Sequence, residues 1–320
     1  MKLLPDTLIV TGAAGFVGSN VVHDLNLQGY ERIVVVDDLA DGHKFKNLLG
    51  AAFYGYLDRH DFEHRLNHET LNAAQVAAIV HLGACTDTTE WDGQRMMADN
   101  FQSSVAVYDW CQRHGVPMVY ASSAAVYGGN ARFAEVPENE LPLNVYGWSK
   151  LVFDNYVRQH AETATAPVVG LRYFNVYGPR ETHKGRMASV MFHFANQLAK
   201  DSRVRLFEAS GGYADGEQRR DFVHVQDVAR ATTWFLGHPE VSGIFNIGTG
   251  ASRPFNDVAK LLLAAHGAGT LEYIPFPDDL MAAYQHFTEA DLTLLRRAGC
   301  DVRFRPIDEG VPQYLEWLQG

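Results

Sequence analysis

The sequence predicts an α/β fold: a doubly wound parallel sheet with a smaller C-terminal α/β lobe. Three observations predict it. Short apolar runs at 8–11, 32–36, 76–82, 116–121 and 168–173 stop at or just before glycine, aspartate or serine, or run on into a polar turn, as strands buried on both faces do. Segments of helical periodicity separate them, so strand and helix alternate. The first strand meets its helix through Gly12-x-x-Gly15-x-x-Gly18, a turn of three glycines.

Taken in order, 8–11 is the first strand, and the helix after it runs through Leu27 with Gly29 as its stop. In such a turn the first glycine makes the tight bend. The second lets the backbone approach a pyrophosphate, and the third lets helix and strand pack closely. The helix N-terminus adds free N–H groups and a positive dipole. Gly12, Gly15 and Gly18 therefore read as a dinucleotide site in a Rossmann-like domain, with a ligand-free βα turn as the plainer alternative. The second strand, 32–36, ends at Asp37 and Asp38, about 20 residues past the glycines, where an acid accepts hydrogen bonds from an adenosine ribose. That alone favours NAD over NADP. Lys44 could neutralise a 2′-phosphate. Arg59, after a strand placed at 52–56, could add a second cation; solvated loop charges are the alternative.

The strand at 76–82 ends in Gly83-Ala84-Cys85, small residues that allow close backbone approach to a cofactor. His81, at its end, reads as structural. Residues 86–100 are polar, start as a loop and lead into a helix through His114. The strand at 116–121 ends in Ser122-Ser123, at the edge of a parallel sheet where ligands bind, or is only a serine-rich strand exit. The strand at 168–173 runs on to Gly178-Pro179, which stops it. Then come a basic loop at 181–186, a helix at 188–199, a strand at 204–207 and a glycine-rich loop at 210–218. A helix at 225–236, a strand at 244–248 and helices at 255–265 and 289–298 complete the chain. The domains fall at 1–174 and 175–320, with about 221–250 returning to the first.

Tyr146 and Lys150 stand four apart, on one face if 145–154 is helical. A tyrosine phenol titrates near pH ~10 and is a poor base at neutrality. A lysine ammonium beside it favours phenolate. That makes tyrosine a proton-transfer group at an alcohol or carbonyl carbon, and Ser123 could share its proton. A Tyr and a Lys on a solvated helix edge are the alternative.

At 320 residues and 47% hydrophobic content, the chain can hold a large α/β domain, a small lobe and a sizeable core. A net charge of −11 without any basic tract argues against nucleic acid and anionic membrane as partners. Cys85, Cys111 and Cys300 are widely spaced and odd in number, which indicates neither a disulfide framework nor a zinc site. That suits a reducing compartment. Residues 1–10 make a poor signal peptide, and no apolar stretch reaches membrane-spanning length. The expectation is a cytoplasmic protein.

Gly12-x-x-Gly15-x-x-Gly18, Ser123 in Ser122-Ser123-Ala124-Ala125-Val126-Tyr127-Gly128, Tyr146-x-x-x-Lys150 and Arg172-Tyr173-Phe174-Asn175-Val176-Tyr177-Gly178-Pro179 together resemble the extended short-chain dehydrogenase/reductases. These act mostly on nucleotide sugars. Their dTDP-glucose 4,6-dehydratases carry an Asp-Glu pair just after the catalytic serine or threonine. Ala124-Ala125 stands there in this chain, which argues for an epimerase or a simple oxidoreductase. Further stretches are similar to the ADP-heptose 6-epimerase branch. They are Ala84-Cys85 with Thr88-Thr89-Glu90-Trp91-Asp92-Gly93, then Arg180-Glu181-x-His183-Lys184-Gly185, and Tyr273-Ile274-Pro275-Phe276-Pro277.

That resemblance implies an isomerase that inverts C6 of the heptose in ADP-D-glycero-D-manno-heptose, for the lipopolysaccharide inner core. It implies tightly held NADP and a homo-oligomer, reported in the family as a pentamer. Phe16, Val17, Asp37, Asp38, Lys44, Arg59, Gly83, Ala84, Cys85, Lys150 and Val176 would line the cofactor. Asn175, Arg186, His193, Phe207, Glu208, Ala209, Ser210, Arg220 and Tyr284 would line the substrate. Tyr146, Lys150 and Ser123 would serve one orientation of a keto intermediate and Lys184 the other; a phosphate-binding loop cation is the alternative for Lys184. The chain departs from the pattern at Asp38 (more often Asn), Arg59 (lysine), Arg186 (a small residue) and a longer 211–218 segment. UDP-galactose 4-epimerase shares the Tyr/Lys pair without a second base at Lys184. A non-enzymatic dinucleotide sensor could dispense with Ser123, Tyr146 and Lys150.

Overall fold

Alternating β-branched runs and amphipathic helices build a seven-stranded, all-parallel sheet in the computed structural model, which describes residues 6–277 and 284–320. Residues 1–5 of the N-terminal segment lie outside the described residues. β1 (Thr7–Thr11), α1 (Phe16–Leu27) and β2 (Ile33–Asp37) follow one another, then β3 (Gly55–Asp58), α2 (Arg59–Asn67) and β4 (Val76–His81). A short helix α3 (Gly93–Met96) passes through a π-helical turn, Met97–Gln102, into α4 (Ser103–His114). β5 (Met118–Ser123), α5 (Val145–Gln159) and β6 (Val168–Tyr173) complete the first half.

The second half holds β7 (Asn175–Tyr177), α6 (Val190–Asp201), β8 (Arg203–Phe207), β9 (Arg219–Arg220), β10 (Phe222–His224) and α7 (Val225–Leu236). It ends with β11 (Gly243–Ile247), β12 (Arg253–Pro254), α8 (Phe255–His266), β13 (Thr270–Ile274), α9 (Thr293–Arg297) and α10 (Ile307–Gln319). The sheet order is β11-β6-β5-β4-β1-β2-β3. The order reverses between β1 and β4, so the crevice at their carboxyl ends is where such a sheet takes a ligand.

The central strands are largely apolar on both faces because helices cover both, and their polar residues gather mostly at the carboxyl ends. Ile9, Val34, Ile79 and Met118 pack on Phe62, Leu66, Trp110 and Phe153 of α2, α4 and α5. Their neighbours Leu8, Val10, Ile33 and Val35 point the other way, onto Val21, Val22 and Leu25 of α1. α7 lies on that same side, its Val228, Ala231 and Phe235 against Val169, Leu171 and Phe245. A separate cluster of Met191, Phe194, Val204, Leu206, Val258, Leu262, Val311 and Tyr314 joins α6, α8 and α10 to the β8–β13 pair.

Several elements differ from expectation, among them α10, which the sequence reading did not place. The strand placed at 52–56 runs instead over Gly55–Asp58, because Phe53 and Tyr54 are exposed and only Leu57 is buried. Arg59 then opens a helix capped by Asp58, whose carboxylate accepts from His60 N at 2.8 Å, so it is no loop charge. The helix placed at 289–298 is only Thr293–Arg297, since Asn246 Nδ2 holds the Asp291 carbonyl at 3.0 Å in a non-helical path.

Candidate active site

The glycine turn is shaped by close backbone contact. Gly12 takes φ +63°, and a Cβ there would stand 2.7 Å from the Gly83 amide. A Cβ on Gly18 would run into the Gly12 carbonyl oxygen. α1 starts at Phe16 with Gly15 as its cap and no capping side chain, which leaves its first amides to the turn. Asp37 Oδ2 accepts from Ala14 N at 2.9 Å, which fixes the acid beside the glycines. Bare amides and a positive helix end fit a pyrophosphate, and the acid fits a ribose. These residues fit a dinucleotide. Among the described residues no cluster of His, Cys, Asp and Glu could hold a metal.

The adenosine end is crowded with charge. Lys44 Nζ stands 2.5 Å from Asp37 Oδ1 and 2.9 Å from Asp38 Oδ1. Burial works against the Lys44 ammonium, but the two carboxylates outweigh it and raise its pKa. Burial also works against the Asp38 carboxylate, but Lys44, the Ala40 amide and the Arg59 charge together outweigh it and lower the pKa. Arg59 Nη1 pairs with Asp99 Oδ1 at 3.0 Å, with its charge still felt at Asp38.

Gly83, Ala84 and Cys85 leave the end of β4. Asn100, in the π-helical turn, takes the Cys85 amide on Oδ1 at 2.8 Å and donates from Nδ2 to the Cys85 carbonyl and to Ser149 Oγ, both at 3.0 Å. His81 sits between Thr11 Oγ1 (2.9 Å) and Ser104 Oγ (3.1 Å); burial, then Lys150, push its pKa down to about 3, so it is a neutral structural group. Val176 lies in β7, paired with Val223.

Asn144 caps α5, its Oδ1 accepting from Gly147 N at 2.8 Å, and this starts the helix that carries both central residues. Tyr146 is hydrogen-bonded to Ser123. Burial raises the Tyr146 pKa, the Ser123 bond pulls it down, and Cys85 pushes it up. Lys150, buried, donates from Nζ to the Ala121 carbonyl at 3.0 Å. Burial lowers its pKa to about 8, against the opposing charge of Asp154. Lys150 turns its ammonium to β5, and the groups that shift Tyr146 are Ser123 and Cys85.

Lys184 lies on the 3₁₀ segment Thr182–Met187, its Nζ 5.3 Å from the centroid of the Phe16 ring at the first turn of α1. Burial lowers its pKa and Glu181 opposes the shift. Glu181 is itself buried and accepts from Gly178 N (3.2 Å), Ser189 N (2.5 Å) and Ser189 Oγ (2.7 Å).

The residues expected around substrate fall into two groups. Arg220 is buried, its guanidinium 4.8 Å from the Tyr284 ring and 5.6 Å from Phe255, with Nη1 donating to the Arg219 carbonyl. Burial lowers its pKa, with Tyr284 opposing. Phe276 touches both Phe207 and Tyr284, each at 5.0 Å, so Phe207 belongs to the same group. Glu208 and Ala209 follow with backbone bonds to Ile274 O and Asp215 Oδ1, and Ser210 Oγ accepts from Gln218 Nε2 at 2.8 Å. Asn175 Oδ1 accepts from Thr288 Oγ1. Arg186 and His193 stand apart: Arg186 pairs with Asp87 at 2.7 Å, and His193 Nε2 lies 3.3 Å from the Arg186 carbonyl.

Sequence reasoning missed Asn100, Asp154, Arg172 and Glu181, all buried at or beneath the site. For Asp154 there was a usable signal: it continues the face of Tyr146 and Lys150 at the next fourth residue.

Comparison with known proteins agrees with this geometry. Residues 8–248 match the NAD dependent epimerase/dehydratase family. A curated ADP-L-glycero-D-manno-heptose-6-epimerase from Alkalilimnicola ehrlichii is 55% identical over 309 residues, 97% of this chain and 96% of that protein. The crystal structure of the Helicobacter pylori ADP-L-glycero-D-manno-heptose-6-epimerase superposes with a TM-score of 0.86 at 30% identity, covering 99% of this chain and 97% of that one. The Thermus thermophilus UDP-glucose 4-epimerase, solved with NAD, gives 0.80 at 27% identity over 98% and 99%. With three quarters of its length matched by that family's model and a relative 55% identical along nearly all of it, the chain belongs to the NAD dependent epimerase/dehydratase family.

Proposed function

We propose that this chain inverts C6 of the heptose in ADP-D-glycero-D-manno-heptose to give the L-glycero epimer, a precursor of the lipopolysaccharide inner core. The observation that carries the reading is Lys184. A second, half-buried amine, on a different element from Tyr146, lies over the first residue of α1, and the 55% identical relative is an epimerase of this substrate. The carbon to be inverted is a secondary alcohol, too weak an acid for direct deprotonation. A nicotinamide dinucleotide held on the Gly12–Gly18 turn and Asp37 would supply hydride acceptance and return at that carbon.

Tyr146 takes the hydroxyl proton in one orientation of the sugar, with Ser123 hydrogen-bonded to the phenol and Lys150 behind it. Lys184 exchanges the proton in the other orientation, aided by the burial that lowers its pKa. Arg220, stacked on Tyr284, offers a guanidinium fork to the diphosphate. Asn175, Arg186, His193 and the 207–210 segment complete the substrate lining. In this reading 1–174 is the cofactor-binding unit and 175–320 mainly the substrate lobe. The protein works as a cytoplasmic homo-oligomer, a pentamer, with neither nucleic acid nor membrane as partner.

NADP is the cofactor we favour, with Lys44 and Arg59 meeting the 2′-phosphate. NAD is the second reading, since Asp37 and Asp38 already hold Lys44. Mass spectrometry of nucleotide released from denatured protein separates them. Incubation of intact protein with ADP-D-glycero-D-manno-heptose tests the reaction: the L-glycero epimer is expected, and turnover of UDP-sugars alone would overturn the substrate assignment.

A further inference from the structure

Beneath the Tyr146–Lys150 pair runs a chain of alternating charges that the reaction as described does not use. Tyr146, Lys150 and Asp154 recur every fourth residue on α5 and share one face. Asp154 is fully buried. Its Oδ1 accepts from Tyr120 OH (2.9 Å), and its Oδ2 accepts from Ser122 Oγ (2.9 Å) and from Arg172 Nε (2.9 Å) and Nη2 (2.8 Å). Tyr120 and Ser122 alternate along β5, so both side chains leave the same face. Arg172 is the register partner of Ser122 on β6, so it emerges beside it. Arg172 in turn donates to Glu140 Oε1 at 2.5 Å, and Arg158 holds Glu140 at 2.6 Å.

Four successive residues of β5 are thereby tied to three positions of α5. Tyr120 and Ser122 hold Asp154, the Ala121 carbonyl holds Lys150, and Ser123 holds Tyr146. A helix joined to its strand this way cannot slide or turn without breaking bonds at both ends of the run. We propose that Asp154 is a positioning residue for the reaction: it fixes where α5 sits along β5 and keeps a negative charge behind Lys150, so that Lys150 stays an ammonium on the Ala121 carbonyl, one turn of α5 from Tyr146. This rests on the reading of Tyr146 and Lys150 as the proton-transfer pair.

The charged and titratable groups around Lys150 are few. Asp154 and Tyr146 share its helix, Cys85 follows β4, and His81 ends β4 as a neutral ring. Around Asp154 stand Tyr120 on β5 and Arg172 on β6, with Glu140 and Arg158 beyond. Among the described residues Asp154 is therefore the main group that opposes the burial of Lys150, with Cys85 adding to it.

The test is the Lys150 titration itself. The chain has seven lysines, so ε-carbon-labelled lysine gives a countable NMR spectrum, with the Lys150 signal assigned by its loss in Lys150→Arg. In the nucleotide-bound protein, Asp154→Asn should lower the Lys150 midpoint by about one unit, a tenfold change in proton affinity. The alkaline limb of kcat/KM for ADP-heptose should fall by the same interval with KM changed by less than about twofold. Ser122→Ala removes a hydrogen bond and no charge, and should leave the midpoint within about 0.3 unit. If Asp154→Asn fails to fold because Arg172 is left unpaired, Asp154→Asn/Arg172→Gln removes both charges and carries the same expectation. An unmoved midpoint in either Asp154 variant, or an equal shift in Ser122→Ala, overturns the proposal. A wild-type protein inert toward ADP-heptose whose Lys150 midpoint nonetheless falls in Asp154→Asn would sink the substrate reading and leave this one standing.

Discussion

Replacing Lys150 by methionine should stop turnover and make the fold more stable. Burial takes the Lys150 pKa from 10.5 to about 8, a difference of 2.5. At 1.36 kcal/mol per unit, holding the ammonium in place costs the native state about 3 kcal/mol at neutral pH. Methionine keeps the apolar stem and removes the charge. It also removes the hydrogen bond to the Ala121 carbonyl, worth about 1 kcal/mol. The net expectation at pH 7 is a gain of about 2 kcal/mol. The sign changes with pH in a defined way. Between pH 8 and 10.5 the unfolded chain keeps a proton that native Lys150 has released, so wild-type stability rises with pH across that window. The advantage of the variant should fade over the same interval. Urea unfolding of both proteins, stripped of nucleotide and followed by circular dichroism from pH 7 to 10.5, measures this. A variant less stable at pH 7, or a difference that stays constant through the window, would refute the reasoning.

Tyr146→Phe and Lys184→Met should each cut epimerisation by at least about a hundredfold, the usual scale of a lost acid/base group, while released-nucleotide assays still find the cofactor at wild-type occupancy. Near-full turnover in either would end the two-base assignment. Gly18→Ala puts a Cβ onto the Gly12 carbonyl oxygen, and should leave purified protein largely without nucleotide and destabilised by about 1–3 kcal/mol in thermal unfolding. Asp38→Asn frees Lys44 from one of its two carboxylates and should raise the preference for NADP over NAD by roughly tenfold, on the scale of one charge-assisted bond, in competition binding. Arg220→Met should raise KM for the nucleotide sugar by about tenfold or more in steady-state kinetics, through loss of the cation stacked on Tyr284.

What could be read from the sequence was local. The glycine turn, Asp37 at the end of β2, and the Tyr146–Lys150 spacing depend on residues within one turn or one βαβ unit, so the pattern carries the geometry. α10 was missed although Ile307, Val311, Tyr314 and Leu315 repeat at helical spacing; Gly310 and Pro312 mask the period. α2 was missed because Phe62 and Leu66 are the only buried side chains of a nine-residue polar helix. The pairings that decide the chemistry were out of reach for another reason. Arg172 meets Glu140 and Asp154 across β6 and α5, and Glu181 meets Ser189 across the Lys184 loop, contacts fixed by tertiary packing. The same holds at the adenosine end, where sequence set two acids against two cations. The structure joins Lys44 to the acids and sends Arg59 to Asp99.

The position of β11 at the edge of the sheet has a consequence for synthesis. Its partner is β6, and the paired residues Val169 and Gly243 are 74 positions apart (243 − 169). At roughly 5–20 residues per second, on the order of 10 s separates the emergence of β6 from that of the strand that covers it. During that interval a nascent chain shows an uncapped edge built from Val169, Leu171 and Tyr173, all buried in the finished protein. An edge of that kind is a template for pairing with another chain. Ribosomes that stall between Tyr173 and Gly243 should therefore release the most aggregation-prone fragments, and any cut that removes the C-terminal half takes the protecting strand with it.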